Sequence, residues 1–281
     1  MQLWFSDEHT AHARLQIRLK EHLYSGRSEF QRIDIYDSHE FGRVLILDGV
    51  LMLSEMDEFV YHEMLVHVPM AVNPLVERVL VIGAGDGGIV RELVRYGGIK
   101  SIDMVEIDEM VVAACRAHLP ATAGCLDDPR LRIYYEDGLR FVRNKADEYD
   151  LIIVDSTDPV GPGEGLFTKE FYGNCYKALT KDGIMVNQMG GVVYADDIAT
   201  AKRSYERIKS TFPVALCYQA HVCTYPGGLW LLGYGSKGLH PAHDLKADKW
   251  RENGLDTRYY NTDLHTSSFV MPNNVKKLLE G

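Results

Sequence analysis

The amino-acid sequence predicts an α/β protein, with a doubly wound, Rossmann-like and mostly parallel sheet preceded by a small antiparallel β domain. From about residue 15 to 56, apolar and polar residues alternate with a period of two, which is typical of half-buried strands. Beyond a connecting helix, short apolar runs alternate with helical stretches, the order expected of parallel strands covered on both faces. We therefore divide the chain into an N-terminal domain, 1–56, and a larger domain, 57–281.

Two segments define strands of the small sheet. In FQRIDIYDS the alternation places Ile33 and Ile35 on one face, and Gln31 points the same way as the isoleucines. The segment RVLILDGVLML consists of two apolar runs around an Asp-Gly pair, which favours a two-residue hairpin turn. A helix follows in DEFVYHEMLVHV, and we expect it to end near Pro69, because proline disrupts a helix interior.

The larger domain is predicted from its repeating strands and helices. The strands are RVLVIG, SIDMVEID, LRIYYED, YDLIIVD, IMVNQ, VALCYQA and LWLLGYG. The helices between the first six of them are GGIVRELVRYG, EMVVAACRAHL, GLRFVRNKA, TKEFYGNCYKALTKDG and DIATAKRSYERIKSTF. The strands are apolar throughout, as expected where both faces of a sheet are buried.

The amino-acid composition restricts the binding partners and the cellular compartment that we expect for the protein. The chain has 281 residues with 30 basic and 40 acidic side chains, a net charge of -10, and it has no Lys/Arg cluster. We therefore expect neither nucleic acid nor an anionic membrane as a partner. Five cysteines without a CxxC spacing, and an N-terminus unlike a signal peptide, predict a reduced, cytoplasmic protein without a zinc site.

Four successive strands of the larger domain each deliver at least one carboxylate to the same edge of the sheet. These acids are Asp86 after the first strand, Glu106 at the end of the second, Asp137 after the third, and Asp155 with Asp158 after the fourth. In open α/β sheets ligands bind beyond the carboxyl ends of the strands. Acids gathered there would repel one another unless a cation or hydrogen-bond donors offset them.

The glycine-rich loop at 83–88 fits the spacing G-x-G-x-x-G, which alone is a weak signal. A dinucleotide is disfavoured, because Asp86 would oppose the pyrophosphate that such a loop binds. Glu106 lies roughly twenty residues further on, where an acid contacts ribose hydroxyls. A nucleoside without phosphates fits both features, and an S-adenosyl compound is one. Asp86 would repel the carboxylate of S-adenosylmethionine but attract the ammonium of its decarboxylated form.

Each acid also has a structural interpretation. Asp86 could cap a helix, Glu106 could form a surface salt bridge, and Asp137 could cap the helix that begins beside it. Asp158 precedes a proline and resembles the start of a turn. Tyr61, His62 and Tyr225 would give a flexible alkyl diamine apolar walls beside acids, although the tyrosines could be ordinary core and His62 a satisfied helix histidine.

Nine motifs follow one another along the chain: FGRVLILDGV, DEFVYHEMLVHVP, VLVIGAGDGGIVREL, VEID, EDG, DSTDPVGPGEGLFT, FYGNCYKALTKDGI, TYPGGLW and YYNTDLHTSSFVMPNNV. In this order they resemble the spermidine synthases, a family of polyamine aminopropyltransferases, from about residue 28 to 277. The chain departs from the family at Met52–Met56 and at Cys223, both near segments that shape the pocket. Ala84 replaces a frequent glycine, a change that we expect to be harmless.

The resemblance implies a fold of the class I S-adenosylmethionine-dependent type and a specific reaction. An aminopropyl group passes from decarboxylated S-adenosylmethionine to putrescine, giving spermidine and 5′-methylthioadenosine. It also implies a homodimer or homotetramer, no metal and no permanently bound cofactor. The implied nucleoside contacts are Gln31, Glu106, Asp137, Gly138 and Pro162; Asp86 meets the aminopropyl amine; Tyr61, His62, Asp158 and Tyr225 belong to the polyamine pocket; and Asp155 accepts the proton.

Other functions stay open at this point. The nearest is a polyamine N-methyltransferase that uses intact S-adenosylmethionine, and Asp86 is the feature against it. An aminopropyltransferase for cadaverine or agmatine is a second. A catalytically inactive binding protein is a third, disfavoured by the presence of both Asp155 and Asp158, and a dehydrogenase is the most distant.

Overall fold

The computed structural model of the chain describes residues 2–156 and 161–280, without the side chains of residues 161, 162, 164 and 280. The N-terminal part is a five-stranded antiparallel sheet in the order β1-β2-β3-β4-β5, as predicted. Its strands are β1 (Leu3–Thr10), β2 (Ala13–Arg27), β3 (Arg32–Ser38), β4 (Arg43–Leu47) and β5 (Val50–Ser54). The sequence pattern missed β1 and the start of β2, because the one buried residue of β1 is the polar Asp7, so the strand shows no buried apolar alternation.

The hairpin between β4 and β5 turns at the predicted pair. Asp48 and Gly49 both have positive φ angles, of 49° and 87°, as the favoured two-residue hairpin turn requires. The pairing of Leu47 with Val50 closes the turn. This hairpin brings the ends of the small sheet next to the helix that follows.

That helix, α1, spans Glu58–Val72, so the predicted end near Pro69 is wrong. The proline lies inside the last turn, and the helix continues until the Asn73 backbone N–H donates to the Pro69 carbonyl at 2.9 Å. A proline there removes one helical hydrogen bond, at a cost of about 3 kcal/mol. Because α1 is buried along nearly its whole length, packing offsets that cost.

The larger part contains a seven-stranded sheet in the order β11-β12-β10-β9-β6-β7-β8. Neighbouring strands from β10 to β8 run parallel, and β12 runs antiparallel to both of its neighbours, which confirms the mostly parallel prediction. The strands are β6 (Arg78–Gly83), β7 (Ser101–Glu106), β8 (Leu131–Tyr135), β9 (Tyr149–Asp155), β10 (Leu179–Gly191), β11 (Val214–His221) and β12 (Leu229–Ser236).

Helices cover both faces of this sheet. They are α2 (Gly88–Val94), α3 (Glu109–His118), α4 (Pro120–Ala123), α5 (Gly138–Val142), a 3₁₀ helix (Gly161–Phe167), α6 (Lys169–Ala178), α7 (Ala195–Thr211), α8 (Ala247–Arg251), α9 (Thr262–Ser268) and α10 (Asn273–Glu280). Within the described residues, no helix is both long and apolar enough to cross a membrane.

Alternation along the central strands divides the core between the two faces. In β6, Val79 and Val81 belong to one apolar cluster, whereas Leu80 and Ile82 belong to another on the opposite face. Ile33 of the small sheet packs into the first of these clusters together with residues of α1. The small sheet is therefore fixed against the larger part, although the division between 1–56 and 57–281 stays a prediction.

The carboxyl ends of β6 and β9 approach each other unusually closely. A Cβ atom added to Gly83, whose φ is +87°, would lie 1.8 Å from the Asp155 carbonyl oxygen. The Ala84 backbone N–H donates to that same oxygen at 3.1 Å. Ala84 itself has a φ of 64°, a left-handed conformation that costs a residue with a side chain about 1–2 kcal/mol. We expected this alanine to be harmless, and the structure shows that it carries local strain.

Candidate active site

A cavity of about 490 Å³ lies between the small sheet and the carboxyl ends of the parallel strands, a size typical of small-molecule sites. Every predicted site residue whose side chain is described lines it: Gln31, Tyr61, His62, Asp86, Glu106, Asp137, Gly138, Asp155 and Tyr225. Of the other two, Asp158 lies outside the described residues, and Pro162 lies in the 3₁₀ helix without a described side chain. The structure thus brings the described candidates together, while their individual roles stay predictions.

At one end of the cavity, Asp155 is held by a tyrosine hydroxyl. The Tyr61 Oη–H donates to Asp155 Oδ1 at 2.6 Å. Burial raises the pKa of Asp155 to about 6, the Asp86 carboxylate adds to that rise, and His62 and the Tyr61 hydroxyl oppose it. A carboxyl group with a pKa near the working pH is suited to take up a proton during a reaction.

His62 supplies the cation that the cluster of acids needs. Its Nδ1 lies 2.5 Å from Glu58 Oε2, and its Nε2 lies 3.4 Å from Asp86 Oδ1. Burial alone would lower the pKa of His62, but the carboxylates of Asp86 and Glu58 outweigh it and raise that pKa to about 9. The ring is therefore an imidazolium at neutral pH. One ligand atom each of His62, Asp86 and Asp155 lies within 4.8 Å of the others, but an imidazolium has no lone pair for a metal ion.

Glu58 and Arg91 are two charged residues of this site that the sequence did not reveal. The Arg91 guanidinium donates to both carboxylate oxygens of Glu58, at 2.7 and 2.9 Å. Burial raises the pKa of Glu58, but His62 and Arg91 outweigh burial and bring it down to about 2. Glu58 stands four residues before His62, so helical spacing could have predicted that pair. Nothing in the sequence pairs Arg91 with Glu58, because their helices meet only in the folded chain.

The glycine-rich loop at 83–88 leaves room for the His62 ring as well as for a ligand. A Cβ atom added to Gly88 would lie 2.1–2.6 Å from atoms of the His62 ring. The Gly88 backbone N–H donates to Asp86 Oδ1 at 2.8 Å. Asp86 therefore binds the backbone at the start of α2 and also faces the cavity, but the N-cap residue of α2 is Gly87 and not Asp86.

The other end of the cavity carries the acids expected to meet a nucleoside. Burial is the main reason that the pKa of Glu106 is raised to about 7, although the Asp108 backbone N–H, which donates to Glu106 at 3.0 Å, opposes the rise. Asp137 accepts from the backbone N–H groups of Leu139 and Arg140, and so caps α5 while lining the cavity.

Gln31 is held at the rim of this end by a residue that the sequence did not suggest. Its Nε2 donates to Asp108 Oδ2 at 3.0 Å, and the Ser28 hydroxyl donates to the same oxygen at 2.7 Å. The alternation that pointed Gln31 inward was thus informative, because the side chain lines the cavity. Asp108 also caps α3 through the Met110 backbone N–H, so one carboxylate links the small sheet to the nucleoside end.

An aromatic wall adjoins the Asp155 end of the cavity, where the Tyr61 hydroxyl donates to Asp155. The Tyr225 ring packs against Tyr61, with centroids 5.9 Å apart, and against Trp230, with centroids 4.8 Å apart. Within the described part of the chain, Trp230 Nε1 and Gln188 Oε1 are buried without a hydrogen-bond partner, and both residues line the cavity. Both residues lie in predicted strands, where the apolar pattern indicates no functional role. A bound polar group could satisfy them, which buried polar atoms generally require.

The loop that carries Tyr225 is fixed by a buried carboxylate at the start of α1. Asp57 accepts from the Thr224 backbone N–H at 2.9 Å and from the Thr224 hydroxyl. The Ser54 hydroxyl and the Cys223 thiol also donate to Asp57, at 2.6 and 3.1 Å. Cys223, where the chain departs from the resemblance, therefore takes part in the contact that positions the loop.

Comparison with known proteins agrees with this geometry. Residues 58–247 match the family model of the spermine/spermidine synthase domain, and residues 3–55 match that of the spermidine synthase tetramerisation domain. A polyamine aminopropyltransferase of Alkaliphilus oremlandii is 59% identical over 280 residues, covering 100% of this chain and 99% of the relative. One from Clostridium perfringens is 58% identical over 280 residues, with the same coverage.

Solved structures show the same similarity. A spermidine synthase in complex with the transition-state analogue AdoDATO has a TM-score of 0.96 at 41% identity, covering 99% of this chain and 95% of that one. The spermidine synthase of Thermotoga maritima has a TM-score of 0.93 at 39% identity, covering 99% and 94%. The fold and the cavity define a Rossmann-like group-transfer enzyme with an acidic site. The chain belongs to the spermine/spermidine synthase family and is an aminopropyltransferase.

We predict that Asp57→Ala destabilises the protein and loosens the Tyr225 loop. Removing the carboxylate leaves the buried groups of Thr224 and Ser54 without a partner, which costs about 1–3 kcal/mol for each unsatisfied group. Thermal unfolding should shift to lower temperature, and the KM of the amine substrate should rise more than the KM of the nucleoside donor, as steady-state kinetics would show.

The matched control is Asp150→Ala. Asp150 also accepts two backbone N–H groups and a threonine hydroxyl, but it lies near the start of β9, at the opposite edge of the sheet. It should lower stability without changing the ratio of the two KM values. An equal change of that ratio in both variants would show that Asp57 has no specific effect on the amine end.

Proposed function

We propose that the chain transfers an aminopropyl group from decarboxylated S-adenosylmethionine to putrescine, producing spermidine and 5′-methylthioadenosine. The observation that carries the proposal is the division of one cavity into two chemically different ends. Glu106 stands at an end suited to a nucleoside, and Asp86 with Asp155 stands at an end suited to ammonium groups. A family of aminopropyltransferases with the same fold supports it.

The choice of donor follows from the charge of Asp86. Its carboxylate lies in the loop after β6, beside the end of β9, where the side arm of an S-adenosyl donor would lie. Intact S-adenosylmethionine would place a second carboxylate there, and two carboxylates at contact distance repel strongly. The decarboxylated donor places only an ammonium there. The complex of the related spermidine synthase with AdoDATO supports a nucleoside donor of this type.

The acceptor is proposed from the aromatic wall beside Asp155. Tyr61, Tyr225 and Trp230 offer ring surfaces that suit methylene groups, and the carboxylates and Gln188 Oε1 suit ammonium groups. Putrescine has four methylene groups between two amines, which matches this order of apolar and acidic surfaces. Cadaverine and agmatine share the same chemistry, and the experiment below separates them from putrescine.

The reaction is a displacement at the methylene carbon attached to the sulfonium. The amine nitrogen forms a bond to that carbon, the carbon–sulfur bond breaks, and its electron pair stays on sulfur to give neutral methylthioadenosine. Asp155 accepts the proton that the nitrogen loses. An alkyl amine has a pKa of about 10.4, so only about one molecule in 10³ is neutral at pH 7. Much of the acceleration then comes from holding nitrogen, carbon and sulfur in line.

We also propose that the chain forms a homodimer or a homotetramer. The match of residues 3–55 to a tetramerisation domain supports this proposal. β1 presents Leu3 and Trp4 to solvent, each about half exposed at 49%. Large exposed apolar side chains on an edge strand are suited to pack against a second copy of the chain. No cofactor is proposed to stay bound between turnovers.

A panel of donors and acceptors tests the function directly. The protein is incubated with decarboxylated or intact S-adenosylmethionine and with putrescine, cadaverine or agmatine, and the products are weighed by mass spectrometry. We expect an aminopropyl addition to putrescine with release of methylthioadenosine. A methyl addition from the intact donor would identify a methyltransferase, a preference for another amine would replace the acceptor, and no product from any pair would reject the proposal.

We predict that Asp155→Asn lowers kcat by about 10²–10⁴, the usual contribution of a general base, while methylthioadenosine still binds. In the parent enzyme kcat/KM should rise with pH through about 6, because only the ionised Asp155 accepts a proton and its pKa is about 6. Pre-steady-state kinetics measures the fall in kcat, a binding assay measures the affinity for methylthioadenosine, and steady-state kinetics across pH measures kcat/KM. Asp150→Asn is the control, and a near-parent turnover in Asp155→Asn would rule out the proton-acceptor role.

We predict that methylthioadenosine binds more weakly below about pH 7. Ribose hydroxyls donate hydrogen bonds to the ionised Glu106, and burial raises its pKa to about 7 in the free site. Protonation would thus compete with binding, and the affinity should fall up to about tenfold for each pH unit below that value. Calorimetric titration from pH 5.5 to 8 measures it. Glu106→Gln should flatten the dependence, and an equal pH slope in that variant would contradict the role.

A further inference from the structure

We propose that Glu58 and Arg91 are positioning residues for aminopropyl transfer: together they fix the His62 ring so that its Nε2–H faces Asp86 and the reaction cavity. The inference deepens the proposed function and rests on it for the identity of the reaction. Among the described residues Arg91 does not line the cavity, whereas Glu58 does; we infer that Glu58 acts on the reacting atoms through His62, which lies between it and Asp86.

The first step is the contact between Arg91 and Glu58. The guanidinium binds both carboxylate oxygens of Glu58 and also donates to Glu92 at 2.9 Å through Nε. The Glu58 side chain is only 5% exposed, so its charge requires a partner inside the protein. A bidentate arginine pair is the geometry that holds a carboxylate in one orientation. Arg91 therefore fixes the direction in which Glu58 Oε2 points.

The second step is the orientation of the His62 ring. Oε2 of Glu58 lies 2.5 Å from Nδ1, and on the other side of the ring Nε2 lies 3.4 Å from Asp86. A ring flip would replace these nitrogens by carbon atoms and lose both contacts. The backbone of Gly88 packs against a third side of the ring so closely that any side chain at that position would overlap with the ring. One orientation of the imidazole is thus enforced.

The third step concerns charge. The groups that face the ring are Glu58 from the same helix, Asp86 from the loop after β6, Asp155 from the end of β9, and the neighbouring Tyr61. Because Arg91 already pairs with Glu58, the charge of His62 is available to Asp86 and Asp155. That charge lowers the pKa of Asp155 against the effects of burial and of Asp86. The three residues together therefore keep Asp155 ionised when no substrate ammonium is present.

The experiment compares Glu58→Gln, Arg91→Gln and Arg91→Lys with the parent enzyme. In Glu58→Gln and Arg91→Gln we expect kcat to fall about tenfold or more at pH 7, with the KM of the donor changed less than threefold. The acidic limb of the kcat/KM profile should move upward in both variants, and in Glu58→Gln by about one to three pH units, the usual effect on a carboxyl group of losing a nearby opposite charge, here that of His62. Arg91→Lys keeps the charge but not the fork, and should recover part of the rate.

A second measurement needs no substrate. Nuclear magnetic resonance of ¹⁵N-labelled histidine should show His62 as an imidazolium up to about pH 8 in the parent protein, and as a neutral ring at pH 7.5 in Glu58→Gln. The matched control is Arg95→Gln, which removes a guanidinium bound to Glu92 without touching Glu58. It should change neither the His62 signal nor the pH profile.

The outcomes separate the inference from the function. If folded Glu58→Gln and Arg91→Gln keep the parent pH profile, or if His62 stays an imidazolium in Glu58→Gln, the positioning role is wrong. If Glu58→Gln does not fold, as thermal unfolding would show, Arg91→Lys and Arg91→Gln decide the same question. If the parent protein transfers no aminopropyl group but the resonance result is as expected, the proposed function fails while the control of His62 by Glu58 holds.

Discussion

The structure depends on the repulsion between carboxylates that a parallel sheet gathers at one edge. Asp86 and Asp155 follow neighbouring strands, β6 and β9, whose ends are joined by the contact of Gly83 and Ala84 with the Asp155 backbone. Two carboxyl groups with oxygens within 4.8 Å of each other would share a proton unless a positive charge lay between or beside them. His62 supplies that charge from α1, and the position of α1 against both sheets is therefore part of the chemistry of the site.

The same requirement explains features that look unrelated in the sequence. Gly88 fits a phosphate-binding spacing, yet here the missing side chain makes room for the His62 ring. Pro69 lies inside α1, and the burial of that helix holds its last turn in place. The helix thus keeps Glu58, Tyr61 and His62 in fixed register, since residues three and four apart lie on one face. Each irregularity is tolerated because the packing around α1 is extensive.

Much of this arrangement follows from sequence pattern alone. Alternating strands and helices place the ends of parallel strands at one edge, so Asp86, Glu106, Asp137 and Asp155 could be assigned to one cavity before any coordinates existed. Strand alternation also pointed Gln31 inward. Contacts between elements distant in the chain could not be predicted in this way. The pairing of Arg91 with Glu58 depends on how α1 and α2 cross, and Trp230 and Gln188 lie in apolar strands where a pattern indicates only core. β1 escaped prediction because its one buried residue is the polar Asp7, which leaves no apolar alternation to detect.

A site that binds an ammonium group and also deprotonates it faces two opposed demands, because carboxylates that attract the cation also raise its pKa. The geometry separates the demands in space. Asp86 shares its charge with the fixed imidazolium of His62, so it attracts a substrate amine less strongly than an unpaired carboxylate would. Within the described residues, the side chain of Asp155 accepts one neutral donor, the Tyr61 hydroxyl, and its pKa of about 6 lies nearer to that of an amine than the pKa of an exposed aspartate does. In the proposed mechanism, the fixed cation therefore weakens ground-state binding at one acid while keeping the other acid ionised, and this favours proton removal over tight binding of the protonated amine.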